Sequence, residues 1–162
     1  MRAKDVMTSR FKTLKAGDTI AEAVNRFRRA SREQGKNVFG MMVVIVFGMM
    51  VVDDDDHLAG MLSMYDILLF VQPRHASVWS ELEDMDQAGM FADLLERVKH
   101  IRVGDLMTPE VVTIAPDTHL MVIVDIMIKR HIRRLPVVSD GDVVGIVYIS
   151  DLFYHLLRQY LV

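Results

Sequence analysis

The feature that most constrains this chain is a repeat within itself. Sliding the sequence by one hundred places lays Lys4-Asp-Val-Met-Thr8 over Gly104-Asp-Leu-Met-Thr108. Without a gap, Thr13-Leu14 then falls on Thr113-Ile114. The apolar sets Ile20, Ala23, Val24, Phe27 and Leu120, Ile123, Val124, Met127 coincide as well. Their i, i+3, i+4, i+7 spacing is the buried stripe of an amphipathic helix. At a shorter offset, Gly60-Met-Leu-Ser-Met-Tyr-Asp66 matches Gly145-Ile-Val-Tyr-Ile-Ser-Asp151. Order and spacing agree throughout, so one unit is present twice. Each copy reads strand, helix, strand, strand, helix, an α/β (α+β) pattern.

The copies occupy residues 1–72 and 102–162, joined by a connector over 73–101. Pro73 closes the first copy, and Ser80-Glu-Leu-Glu83 has the spacing of a capping box. Leu82, Met85, Leu94, Leu95 and Val98 predict a mostly helical connector, broken at Gly89. Ser139-Asp-Gly-Asp142 between apolar runs predicts a tight hairpin, and Asp53–Asp56 is its counterpart. Ser63 and Ser150 stand where a strand hands over to a helix, and one of them or a neighbour is expected to cap it. The last helix shows an apolar stripe of Leu152, Phe153, Leu156, Leu157 and Tyr160.

A second, shorter repeat lies inside the first copy. Val38-Phe-Gly-Met-Met-Val-Val44 recurs as Val46-Phe-Gly-Met-Met-Val-Val52, and four of the chain's thirteen methionines sit there. The run 38–52 carries no charge, yet a membrane helix needs about 20 apolar residues and this run contains glycines. It reads as buried strand. The period of eight is even, so either copy presents the same side chains to the same sheet face. As one strand the run would extend about 50 Å at about 3.3 Å per residue. A compact chain of this size has a radius of gyration of only about 15 Å. One copy therefore loops out, adds a strand or pairs with another subunit, or the duplication is foreign to the native protein.

Composition narrows the function classes. Lys and Arg number 19 against 22 Asp and Glu, a net charge of −3, which argues weakly against a nucleic-acid protein. Residues 1–36 are the basic part, with Arg26, Arg28, Arg29 and Arg32 on one helical stretch. A solvated helix face is the plainer account of them than phosphate contact. Cysteine is absent, which excludes disulfides, thiolate metal sites and thiol nucleophiles and suits a reducing compartment. No apolar signal segment opens the sequence, so a cytoplasmic location is expected. The six histidines are scattered, and no Walker loop or dinucleotide fingerprint is present. Enzymatic activity is not expected. Asp53-Asp-Asp-Asp-His57 lacks the alternate spacing of a calcium loop, and hairpin turns favour aspartate anyway. No metal site is assigned.

The repeated motifs resemble a tandem pair of cystathionine-β-synthase (CBS) domains, a Bateman module. The resemblance covers roughly residues 4–72 and 102–161 and rests on three motifs. They are Met-Thr followed by Thr-hydrophobic, then Leu135-Pro-Val-Val138, then glycine leading to Ser/Thr and Asp. It implies two β-α-β-β-α units packed sheet to sheet by pseudo-twofold symmetry, commonly as a homodimer. It also implies a regulatory module that senses adenine nucleotides or related adenosyl ligands in the cleft between repeats, without chemistry on them.

The residues support this place by place. Gly60 would let a ligand approach the backbone, and Ser63 at a helix start faces free amides that favour phosphate. Asp66, one turn on, is an acceptor suited to ribose hydroxyls. The second copy keeps Gly145 and Asp151, but Tyr148 stands where Ser63 does and fills or reshapes that pocket. Arg133 and Arg134, beside Pro136, match phosphate contacts in the nucleotide-sensing gamma subunit of AMP-activated kinase. Arginine binds phosphate bidentately and stays charged. Phe39 and Gly40, or Phe47 and Gly48, hold those places in the first copy, so the charge is asymmetric. Thr13 and Thr113 match the family threonine beside adenine. A serine cap, a basic helix end and strand packing are the structural accounts of the same residues.

No cofactor is required on this reading, and magnesium would enter only along with a nucleotide. The alternative is a dimerisation or protein-interaction module without a physiological nucleotide. Nucleic-acid binding through Arg26–Arg32 and Lys129–Arg134 is a weaker third. For the short repeat, intact mass is decisive. The purified protein has 18.5 kDa if both copies are present and is eight residues lighter if the duplication exists only in the recorded sequence.

Overall fold

The computed structural model describes residues 1–34, 48–72 and 87–160. The first copy runs α1 (Ala3–Val6), β1 (Thr13–Lys15), α2 (Ile20–Gln34), β2 (Gly48–Val52), β3 (Leu58–Ser63) and α3 (Met64–Val71). After α4 (Gln87–Val98), the second runs α5 (Val103–Leu106), α6 (Leu120–Arg130), β4 (Arg134–Ser139), β5 (Asp142–Tyr148) and α7 (Ile149–Tyr160). The first sheet has the order β1-β2-β3, with β1 parallel to β2 and Leu14 opposite Val51. In the second copy β4 and β5 form an antiparallel pair. The counterpart of β1 is there reduced to one parallel bridge, Ile114 to Val137. The Ile114 amide donates to the Pro136 carbonyl at 3.0 Å, and the Val138 amide to the Ile114 carbonyl at 2.9 Å.

The duplicated segment contributes its second copy to the sheet. Gly48–Val52 forms β2, and all five residues are buried, as an apolar strand covered on both faces requires. The first copy, 38–44, lies outside the described residues, as do Leu82, Met85 and Ser80–Glu83.

Three details of the helical stripes differ from expectation. Ile20, Ala23 and Phe27 are buried on α2, but Val24 is 47% exposed at the edge of the stripe. On α7 Leu152 is buried while Phe153 faces outward, and on α4 Val98 is buried while Leu95 is exposed. Gly89 does not break the connector. It sits in the first turn of α4, where a glycine costs less than in the middle of a helix. The turn signals hold. Asp140 and Gly141 have φ of 52° and 91°, the positive pair of a type I′ hairpin between β4 and β5. In the first copy the Asp53 carboxylate accepts from the amides of Asp55 and His57, each at 2.9 Å, so this acidic run is built as a turn.

The chain divides into two compact units that cut across the sequence repeats. One contains residues 1–12, 53–58 and 110–162; the other contains 13–52 and 59–109. Each unit thus takes its opening segment from the other copy. In the first, the Ala3 amide donates to the Thr118 carbonyl at 2.8 Å and the Lys4 amide to Pro116 at 3.0 Å. In the second, the Val103 amide donates to Asp18 at 2.8 Å and the Gly104 amide to Ala16 at 2.9 Å. These are the same bonds, one hundred residues apart and exchanged.

The exchanged segments explain two glycines. A Cβ on Gly60 would lie 2.7 Å from Met107 Sδ and 2.8 Å from the Thr108 carbonyl oxygen. A Cβ on Gly145 would lie 2.7 Å from Met7 Sδ, with the rest of that side chain close behind. A methionine packs closely against each of these glycines. Overpacking of this kind costs about 1–3 kcal/mol. Gly145→Ala should therefore be less destabilising in a Met7→Ala background than alone. Gly60→Ala should keep most of its cost beside Met107→Ala, because a backbone oxygen stands in the way. Urea denaturation of the two double-mutant cycles measures both.

Candidate functional site

β3 ends at Ser63 in extended conformation, and its side chain caps α3. The Ser63 hydroxyl donates to Asp66 Oδ2 at 2.6 Å and accepts from the Asp66 amide at 3.2 Å. The Ser63 amide also donates to Oδ2, at 2.7 Å. This reciprocal capping box fixes the carboxylate at the head of the helix. The Ser63 hydroxyl thus both donates to and accepts from Asp66 within the cap. Oδ1, the other carboxylate oxygen, is turned toward Thr108, whose hydroxyl donates to it at 3.4 Å. Thr108 arrives from the second copy on the exchanged segment. Its backbone is bonded to Met61 in both directions, at 2.8 and 2.9 Å.

The other unit repeats this plan with altered parts. Thr8 is bonded to Ile146 in both directions, at 2.9 and 3.0 Å. The hydroxyls of Thr8 and Ser150 bond the Asp151 carboxylate, while burial pushes its protonation upward. Tyr148 replaces the capping serine. It lies opposite Arg134 at the end of the β4–β5 ladder, so the two side chains share a sheet face. Leu135, Val137 and Val147 occupy the other face and join the buried core beneath α6 and α7. Burial raises the Tyr148 phenol, the nearby Arg134 charge lowers it and Asp151 raises it. Arg133 is exposed, and its carbonyl accepts from the Ile149 amide at 2.9 Å. Pro136 is buried and Thr113 exposed.

The structure thus groups Thr13, Gly60, Ser63 and Asp66 in one unit. Thr113, Arg133, Arg134, Pro136, Gly145, Tyr148 and Asp151 fall in the other. Thr13 lies on β1, where its carbonyl accepts from Arg26 Nη1 at 2.9 Å. Arg26 also reaches Asp18 at 3.4 Å, so this member of the basic helix is engaged internally. Thr8 and Thr108 are the site residues that the sequence reading did not single out. Their signal was present in the repeated Met-Thr pair, which had served only to align the copies. Among the described residues no group of three or more His, Asp or Glu is placed to hold a metal ion. No helix among them is long and apolar enough to cross a membrane.

With this geometry in hand, comparison with known proteins is direct. The CBS domain profile matches residues 3–72 and 103–158, most of the chain and twice over. The chain belongs to the CBS domain family. It is a tandem CBS pair, and solved CBS pairs share its mixed α+β fold. CBSX2 of Arabidopsis thaliana superposes with a TM-score of 0.73 at 23% identity, covering 99% of this chain and 97% of that one. A CBS domain-containing protein of Kribbella flavida gives 0.72 at 18% identity, covering 97% and 99%. A structure of CBSX2 in complex with AMP gives 0.67 at 25% identity, covering 98% and 97%. Among curated sequences, the chloroplastic CBSX1 of A. thaliana is 32% identical over 63% of this chain and 46% of its own length. The chain spans about half or less of the curated relatives it matches.

Loss of an N-cap hydroxyl costs about 1 kcal/mol. For this CBS pair, Ser63→Ala should lower stability by about that amount in urea, while Ser63→Thr should retain most of it.

Proposed function

We propose that this chain is a non-catalytic regulatory module that binds an adenine nucleotide at Asp66. Binding would be signalled by a change in the module's arrangement or oligomeric state. One observation carries the reading: three hydrogen bonds from Ser63 and its own amide fix Asp66 at a helix head, with Oδ1 turned outward to Thr108. A carboxylate so held can accept from two ribose hydroxyls. The amides at the start of α3 favour a phosphate nearby. Arg133, exposed, and Arg134, half-buried, belong to the other unit, where their planar charges suit a phosphate. Thr13 is the position we assign to the adenine side in the unit of Asp66, and Thr113 and Pro136 hold the matching places in the other unit. The AMP complex of CBSX2, at 25% identity, supports an adenine ligand and puts AMP first among AMP, ADP, ATP and other adenosyl compounds. Magnesium enters this reading only as the companion of a nucleotide.

A specific observation also favours homodimerisation. On α3, Tyr65 and Leu68 are 71% and 66% exposed, and Leu69 and Phe70 are exposed beside them. Contiguous apolar surface of this kind marks an interaction face, and a second copy is the partner we propose. The regulated effector would be another protein or a further part of a longer chain. The absence of cysteine suits a reducing compartment such as the cytoplasm, although CBSX1 is described as chloroplastic.

Titration calorimetry and thermal melting with AMP test the ligand reading. A ligand that binds only the folded state raises Tm with its concentration. Asp66→Ala should weaken AMP at least tenfold. Absence of heat and of any Tm rise with AMP or ATP at millimolar concentration would contradict the reading.

A further inference from the structure

The two halves share a plan, but their carboxylates stand in different surroundings. At the end of β3 the side chain is a small hydroxyl folded into a capping box with Asp66. At the end of β5 the equivalent side chain is a phenol, half-buried and directly across the ladder from Arg134. Tyrosine cannot reproduce the serine cap, and the Ser150 and Thr8 hydroxyls bond Asp151 instead. Asp151 is thus held by hydroxyls from its own helix and from the exchanged segment. Asp66 is held in the same way by Ser63 and Thr108, so the difference between the halves lies in the tyrosine and in burial. Burial disfavours the charged form of Asp151, which makes it a poorer acceptor for a diol.

The phenol stands where the first half has the much smaller Ser63, half-buried on the sheet face it shares with Arg134. The charges of Arg134 and Asp151, the two groups a nucleotide would use there, both act on it. We propose that Tyr148 closes the Asp151 position to a nucleoside, so that each chain takes one adenine nucleotide, at Asp66. This rests on the nucleotide reading above and adds the residue that decides how many are bound.

Calorimetric stoichiometry with AMP tests the proposal on the full chain and three variants. The native protein should bind one AMP per chain. Tyr148→Ser, which restores the small hydroxyl, should bind two, and Tyr148→Phe, which keeps the ring, should still bind one. Ser63→Tyr should lose the native AMP site, with at least a tenfold drop in affinity. Two AMP per native chain would overturn the proposal, as would a folded Tyr148→Ser protein that still binds one. If Tyr148→Ser does not fold, the native stoichiometry and the Ser63→Tyr loss decide. No binding by the native chain but one AMP on Tyr148→Ser would uphold the role of Tyr148 while refuting the Asp66 site. No binding by any of the four proteins would overturn both.

Discussion

Everything described here depends on one reciprocal contact. The Met-Thr segment that opens each copy lies across the last strand of the other, Thr8 on Ile146 and Thr108 on Met61. Two backbone hydrogen bonds hold each crossing. The methionine then packs against a glycine, Met7 on Gly145 and Met107 on Gly60, so closely that an added Cβ would press on it. The threonine brings its hydroxyl to the carboxylate at the head of the following helix, Asp151 or Asp66. Core packing and site chemistry therefore share the same short segment. Neither copy of the repeat is a complete structural unit alone.

That exchange is also the part of the fold the sequence could not reveal. A chain that matches itself at an offset of one hundred reads identically whether Ala3 packs beside Asp18 or beside Thr118. The repeat is blind to the swap, so the glycines were read as openings for a ligand. Local chemistry was legible wherever it was short-ranged. The Asp140-Gly141 turn and the Ser63 cap followed from residue type and spacing. Periodicity located the helical stripes but not their edges, because a side chain at the margin is buried or exposed by its neighbours. Val24 and Phe153 lie on that margin. The doubled VFGMMVV segment was ambiguous by its own parity. The structure resolves it for Gly48–Val52 alone, since residues 38–47 lie outside those described.

The candidate site was legible in its residues but not in their roles. Ser63 was expected to cap the helix and, from the family resemblance, to meet phosphate; the structure shows the cap, in which Ser63 is bonded to Asp66. Membership of the CBS family accounts for the motifs held in common. It does not account for Tyr148, which follows from this chain alone and makes its two halves unequal. A module that accepts a nucleotide in one half only, as proposed for this chain, can respond to its ligand asymmetrically. That is a physical basis for signalling without any catalytic step.

The central claim is that a nucleotide binds where Ser63 orients Asp66 and the exchanged Thr108 meets it. Amide hydrogen exchange with and without AMP tests this most directly, because it reports bonds strand by strand. The account predicts slower exchange at Met61, Ser63, Asp66 and Thr108 with AMP, and little change at Thr8 and Ile146. Equal protection in both halves, or protection that spares residues 61–66 and 108, would contradict it.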